Sequence, residues 1–320
     1  MNSRASRDDT GSGLSYRGAR PADLQAVLQL LVRCDVLESG EPATSREDVQ
    51  YEWSLLQPEQ DVRLAFDRVP ALVGYAAVFP WAGMRRYEMR VDPAWRESAL
   101  PRGLWEWCEE HARSLPALES DVAGGATVTY LSHVDWQGAQ IAEAAGFQAE
   151  RMHLNFRARL DQGIPSAHWP KGVTVREFNP GEDDPGIHRL IEESFNRPGR
   201  QPVSFEAWKS FMLRADILDP SLWFLAVGGS RLVGACLCFQ YPEEGWVRQL
   251  GVSPEWQGRG IGEALLRHAF LAFWRRGYTN VGLSVASDNP KARGFYERQG
   301  MRCLRQYVEY VRRGEAANPG

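Results

Sequence analysis

The chain has 320 residues, 43% of them hydrophobic and 24% charged, with a formal net charge of −4. That length exceeds one typical domain and suggests two, each able to bury a core. The mild negative charge excludes a basic footprint for nucleic acid, and no run approaches the roughly 18 to 20 consecutive apolar residues of a membrane span. Five cysteines in so long a chain argue against a disulfide framework and for a reducing, cytoplasmic setting. Cys236 and Cys238 share one strand face, and no Cys/His pair has zinc-ligand spacing, so no metal is expected.

Residues 1–14 are polar and small and read as a disordered tail. Ser15 to Arg20 suits a short strand, and Pro21 opens a helix whose apolar positions Leu24, Val27, Leu28, Leu31 and Val32 follow the 3.6-residue period. A second helix is expected from Ser45 to Leu56, with Ser45 as N-cap and Asp48 in the capping-box place. Arg63 to Asp67 and Ala71 to Phe79 read as antiparallel strands, and Arg85 to Val91 as the next. A helix over Gly103 to Ser114, a strand over Thr127 to Leu131, a helix over Gln137 to Ala145 ended by Gly146, and a strand over Ala149 to Leu160 complete this half.

Gly, two prolines and polar residues mark 161–172 as a linker between domains at 15–160 and 173–312. After it the same order restarts. Val173 to Phe178 is a strand, Pro185 to Phe195 and Phe205 to Leu213 are helices, and two strands flank the hairpin glycines Gly228-Gly229. Val247 to Val252 is a buried-type strand, Asn280 to Ala286 another, Pro290 to Gln299 a helix and Arg302 to Tyr310 the last strand. With Val91 set on Val252 and Gly146 on Gly300, the halves are two copies of one α/β unit.

Between Val252 and the helix that runs to Arg276 lies Gln257-Gly258-Arg259-Gly260-Ile261-Gly262. A strand, a glycine-rich turn and a helix N-terminus make an anion site, because the first N–H groups of a helix lack intrahelical partners and carry the positive end of its dipole. The loop has neither the GK[ST] ending of a P-loop nor the glycine order of a dinucleotide fingerprint, which argues against nucleotide binding.

Gln257-x-x-Gly260-x-Gly262 resembles the acetyl-CoA motif of the GCN5-related N-acetyltransferase (GNAT) family. About 30 residues on, Asn289-x-x-Ala292-x-x-x-Tyr296-x-x-x-Gly300-Met301 resembles that family's second signature. The whole is similar to the tandem kind that includes mycothiol synthase. The resemblance implies two tandem folds, each a mixed, mostly antiparallel twisted sheet flanked by helices. It implies acetyl-CoA as co-substrate, bound by Gln257, Gly258, Arg259, Gly260, Ile261 and Gly262, with Asn289 and Arg293 on the pantetheine and phosphate side. It further implies that the backbone of Leu250, Gly251 and Val252 pairs with the pantetheine arm, and that Tyr296 is the acid that protonates the departing thiolate.

For a base, Glu243, Glu244, Glu192 and Glu193 are the candidate carboxylates, with Glu244 preferred. Trp208, Phe211, Trp223 and Trp246 either line an acceptor cleft or form core. In the first copy Arg96, Glu97, Ala99 and Pro101 replace Gln257, Gly258, Gly260 and Gly262, while Asp135 and Ala142 replace Asn289 and Tyr296. Proline offers no N–H and Glu97 would face a pyrophosphate, so this copy is expected to support rather than catalyse. The expected function is N-acetylation of a small-molecule amine by the C-terminal copy, in a monomer or homodimer without nucleic-acid or membrane partners. A non-catalytic acyl-CoA sensor and acetylation of a protein amine are the alternatives.

Overall fold

The computed structural model describes residues 13–81, 84–116, 125–161, 164, 166–196, 202–213, 218–241 and 244–313. In chain order the first copy contains β1 (Ser15–Gly18), α1 (Leu24–Ser39), α2 (Arg46–Ser54), a single turn α3 (Pro58–Asp61), β2 (Val62–Phe66), β3 (Leu72–Trp81) and β4 (Met84–Val91). It continues with α4 (Leu100–Ser114), β5 (Thr127–Ser132), α5 (Trp136–Ala144) and β6 (Gln148–Arg159). The second contains β7 (Val173–Glu177), α6 (Asp184–Ser194), α7 (Phe205–Met212), β8 (Trp223–Gly228), β9 (Arg231–Gln240) and β10 (Gly245–Val252). It ends with α8 (Ile261–Arg275), β11 (Asn280–Ala286), α9 (Pro290–Arg298) and β12 (Arg302–Arg312).

Local chemistry accounts for the element ends. The Ser45 hydroxyl accepts from the Asp48 N–H at 3.0 Å while the Asp48 carboxylate accepts from the Ser45 N–H at 2.9 Å, a complete capping box at α2. The helix N-caps Asp135 and Asn289 likewise accept from the N–H groups of Gly138 and Ala292 at α5 and α9. Leu14, placed by its sequence in the tail, is buried in the core beneath α4.

The chain forms two compact units that are not its two sequential halves. One takes residues 1–154, 286–288 and 305–320; the other takes 155–285 and 289–304. In the first, antiparallel β1, β2, β3 and β4 are followed by β5, parallel to β4, and then by the chain's last strand, β12. The register runs from Tyr307 opposite Ser132 to Arg312 opposite Thr127. In the second, β7, β8, β9 and β10 are antiparallel, β11 lies parallel to β10, and β6 neighbours β11. The boundaries 15–160 and 173–312 are corrected accordingly: each half gives up part of its terminal strand. The alternation of β6 and β12 satisfies either sheet equally, so pairing partner is a tertiary choice.

In the second unit α6 and α7 cover one face of β7 to β9 through Ile187, Leu190, Ile191, Trp208, Met212, Trp223, Leu225, Leu237 and Phe239. Helix α8 buries Leu265, Leu266, Ala269 and Phe273. Trp208 and Trp223 are 3% and 0% exposed, which assigns both to the core rather than to a cleft wall; Phe211 and Trp246 are half-buried beside them.

Candidate active site

Strand β10 pairs with β11 only at Gly245–Val281 and Trp246–Gly282, whereas its pairing with β9 continues to Val252–Gly234. Beyond Trp246 the two parallel strands therefore part, and among the described residues no strand pairs with Leu250, Gly251 and Val252 on that side, where the Val252 carbonyl accepts from the Gln257 side chain. A β-bulge at Arg248 separates Val247, opposite Cys238, from Gln249, opposite Leu237. It turns Gln249 and Gly251 onto the face covered by α6 and α7. There Gly251 is close-packed: a Cβ would lie 2.4 Å from the Ser194 hydroxyl oxygen and 2.9 Å from Ile191 Cδ1.

After β10, a 3-10 turn at Pro254–Trp256 leads into the glycine loop. Gly258 and Gly260 have φ of +77° and +84°, and Gly260 is the N-cap of α8. A Cβ at either position would meet nothing within 4 Å, so the left-handed backbone, not crowding, demands glycine, and the space before the loop is open. This observation fits a cradle for a pyrophosphate on the α8 N-terminus, where the N–H groups of Ile261 and Gly262 begin the helix. Ile261 itself is buried and anchors that end.

Gln257 ties the loop down. Its Nε2 donates to the Val252 carbonyl at 3.1 Å and its Oε1 accepts from Lys291 Nζ at 3.1 Å, which links β10, the loop and the start of α9. Lys291 was not singled out by sequence, and it adds a positive charge to the mouth. Arg259 lies over the Trp256 ring at 4.7 Å and donates to the Glu255 carbonyl, while Arg293 is ion-paired with Glu297 at 2.9 Å. Asn289 caps α9 through its Oδ1.

Tyr296 is held between Phe295, at 5.2 Å, and Phe156 of β6, at 6.0 Å. Burial, with Cys236 nearby, raises its phenol well above the ordinary range, so it carries its proton at neutral pH. The carboxylates are differently placed. Glu244 accepts from Arg157 Nε at 2.7 Å, and it stands six residues before Leu250, about 20 Å along an extended strand. Glu192 accepts from the Val203 N–H at 3.3 Å, and Glu243 lies outside the described residues. Arg157 escaped notice because only the placement of β6 brings it to Glu244.

Residues 185–301 match the model of the acetyltransferase (GNAT) family. A GCN5-related N-acetyltransferase from Sphaerobacter thermophilus, of known crystal structure, is 31% identical and superposes with a TM-score of 0.76 over 94% of this chain and 95% of that one. The chain belongs to the GNAT acetyltransferase family. A mycothiol acetyltransferase of Geodermatophilus obscurus is 29% identical over 88% of this chain and 91% of its own. A tandem GNAT protein from the clavulanic acid biosynthesis pathway shares the fold over 95% of this chain and all of its own, at 16% identity and a TM-score of 0.65. This chain is thus a tandem GNAT enzyme, an acyltransferase, and no described helix is long and apolar enough to cross a membrane.

Within this tandem GNAT protein the first unit has a different loop. Arg96 and Ala99 adopt right-handed conformations, with φ of −60° and −72°, and Pro101 occupies the second position of α4. Arg96 is ion-paired with Glu38 at 2.9 Å. A shallow cleft opens here, lined by Arg90, Arg96, Glu38 and Asp135 among others, so two carboxylates offset its two cations. Deeper in, Arg86 and Arg90 hold Glu88 at 2.5 and 2.7 Å. Beside them burial lifts the Glu52 carboxyl to about 7, although Arg86 pulls it back down. A carboxyl raised by folding stabilises while protonated: its contribution is complete below about 4.5 and is lost as pH climbs through about 7. Glu52→Gln is therefore expected to melt about 2–4 °C above the wild type at pH 8, with the gap closing toward pH 5 in thermal unfolding.

Proposed function

We propose that the second unit transfers an acetyl group from acetyl-CoA to the primary amine of a small molecule. The observation that carries this reading is the loop of left-handed Gly258 and Gly260 on the α8 N-terminus, beside a β10 edge that β11 has left. Leu250, Gly251 and Val252 hold the pantetheine arm by main-chain pairing and offer an N–H to the oxyanion. Gln257 through Gly262 hold the pyrophosphate, with Asn289, Lys291 and Arg293 at the mouth. Acetyl-CoA supplies the acyl group already activated as a thioester.

Tyr296 keeps the proton that the departing sulfur needs. Tyr296→Phe retains the packing against Phe156 and Phe295, so it is expected to lower kcat about 10- to 100-fold while the Kd for acetyl-CoA moves less than about twofold. An unchanged kcat removes Tyr296 from the chemistry. Glu244, held by Arg157 and distant along β10, is not positioned to take the amine proton directly; that proton leaves through water.

The relatives named mycothiol acetyltransferase support a small acceptor, because the likeness spans both copies of the repeat. The first unit contributes no second acetyl-CoA site in this reading, since its loop lacks the left-handed glycines, Pro101 offers no N–H at the second position of α4, and in its cleft Glu38 and Asp135 offset Arg90 and Arg96. A panel of amines assayed by release of free CoA thiol tests the function. Turnover with small amines supports it; turnover with protein lysines alone overturns the small-molecule acceptor.

A further inference from the structure

The Arg248 bulge has a second effect. It places Trp246, Gln249 and Gly251 on one face of β10, opposite Phe239, Leu237 and Ala235 of β9, although regular alternation would have put Gln249 on the other. On that face the indole Nε1 of Trp208 donates to Gln249 Oε1 at 3.0 Å. An indole N–H can only donate, so the oxygen end of the amide must meet it, and the orientation of Gln249 is determined chemically. Trp208 is 3% exposed and locked in the α6–α7 core, which makes it a rigid support. The other end of the amide, Nε2, carries two N–H donors, and among the described residues no protein group accepts from them. Gln249 is half-buried, one residue before the backbone assigned to the thioester. Next to it the Arg248 guanidinium lies 4.8 Å over the Phe211 ring, on the same helix α7.

We infer that Gln249, oriented by Trp208, is a specificity-determining residue for the acceptor, selecting amines that carry a carbonyl or carboxylate oxygen close to the reacting nitrogen. The inference rests on the second unit being the acetyl-transferring site. The physical reason is the cost of burying two unanswered donors: an acceptor oxygen satisfies them, and an amine without one leaves them dry.

The test compares phenethylamine, phenylalaninamide and phenylalanine, which share an amine and a phenyl group and differ in having no oxygen, a carboxamide or a carboxylate. For the wild type and Gln249→Leu, kcat/KM is measured with each, and acetyl-CoA Kd is measured by calorimetry. The ratio of phenylalaninamide to phenethylamine is expected to fall about five- to tenfold in Gln249→Leu, chiefly through KM, because one neutral hydrogen bond is lost. Gln249→Glu is expected to depress phenylalanine below phenylalaninamide by like-charge repulsion. Trp208→Phe, which frees the amide to rotate, is expected to lower the first ratio about two- to threefold. Should Gln249→Leu lose acetyl-CoA binding, Gln249→Met, similar in length and apolar, replaces it. A ratio unmoved by Gln249→Leu in a variant that binds acetyl-CoA normally overturns the inference alone. Acetylation of none of the three amines by a wild type that turns over other small amines of the panel overturns the inference and leaves the small-amine function standing, whereas turnover with protein lysines alone overturns both.

Discussion

Gly262→Pro is expected to raise the Kd for acetyl-CoA about 10- to 100-fold while leaving the fold intact. Gly262 is the second residue of α8, after the N-cap Gly260, and its N–H belongs to the first turn, where no carbonyl of the helix can accept it. Proline is tolerated in a first turn for that reason. The same chain supplies the structural precedent: Pro101 occupies the second position of α4 in the first unit, and that helix still runs from Leu100 to Ser114. Nor is there a clash to fear at the side chain, since a Cβ at Gly262 would make only ordinary contacts, 3.6 Å to Val252 Cγ2 and 3.8 Å to Phe295 Cζ. What the variant removes is one N–H donor, and a hydrogen bond to a charged phosphate oxygen contributes about 1.5–3 kcal/mol. Calorimetry with acetyl-CoA measures the loss, and a melting temperature within a few degrees of wild type shows that the fold survived. Unaltered affinity would remove the α8 N-terminus from the phosphate site.

Ending the chain at Leu304 is expected to unfold the first unit, although the residues removed are the last in sequence. Residues 307–312 of β12 are the part of the strand that pairs with β5. They bring Tyr310 and Val311, each 6% exposed, into that unit. The removed residues also bring Arg305 to Asp35, whose carboxylate is 1% exposed, and Glu309 to His153 at 3.0 Å. Deleting Arg305 takes the paired cation away from the buried Asp35 carboxylate, which keeps the N–H groups of Ala43 and Thr44, at 3.0 and 2.8 Å, and the more general field of Arg90. Removing one member of a buried ion pair costs several kcal/mol, a large fraction of a typical domain's stability. Limited proteolysis with mapped cleavage sites distinguishes the outcomes. New cuts within residues 15–154 are expected; cuts confined to 173–304 would mean that β12 serves its own half.

Much of the candidate site was legible in the sequence because its parts are local. The loop Gln257 to Gly262, the cap Asn289 and the aromatic Tyr296 each follow from a short motif, and the structure gathers the loop and the start of α9 through the Lys291–Gln257 contact. The weaker expectations concerned groups whose role depends on distance. Glu244 has the right chemistry for a base, yet it is engaged by Arg157 of β6, a strand nearly ninety positions earlier that no local pattern connects to it. Trp208 and Trp223 had two open readings, and burial in the α6–α7 core decided both.

By itself the sequence determined the two-copy architecture, the order of strands and helices, and which copy keeps the glycine loop before its helix. These are set by short-range chemistry: apolar period, capping residues, and glycines whose left-handed backbone few other residues tolerate. Two things were decided only by the tertiary structure. One is the assignment of β12 to β5 and of the end of β6 to the second unit, because an alternating strand carries no record of its partner. The other is the bulge at Arg248, which inserts one residue against β9 and so turns Gln249 to the face of Trp208. A period-2 reading of β10 puts that side chain on the opposite face.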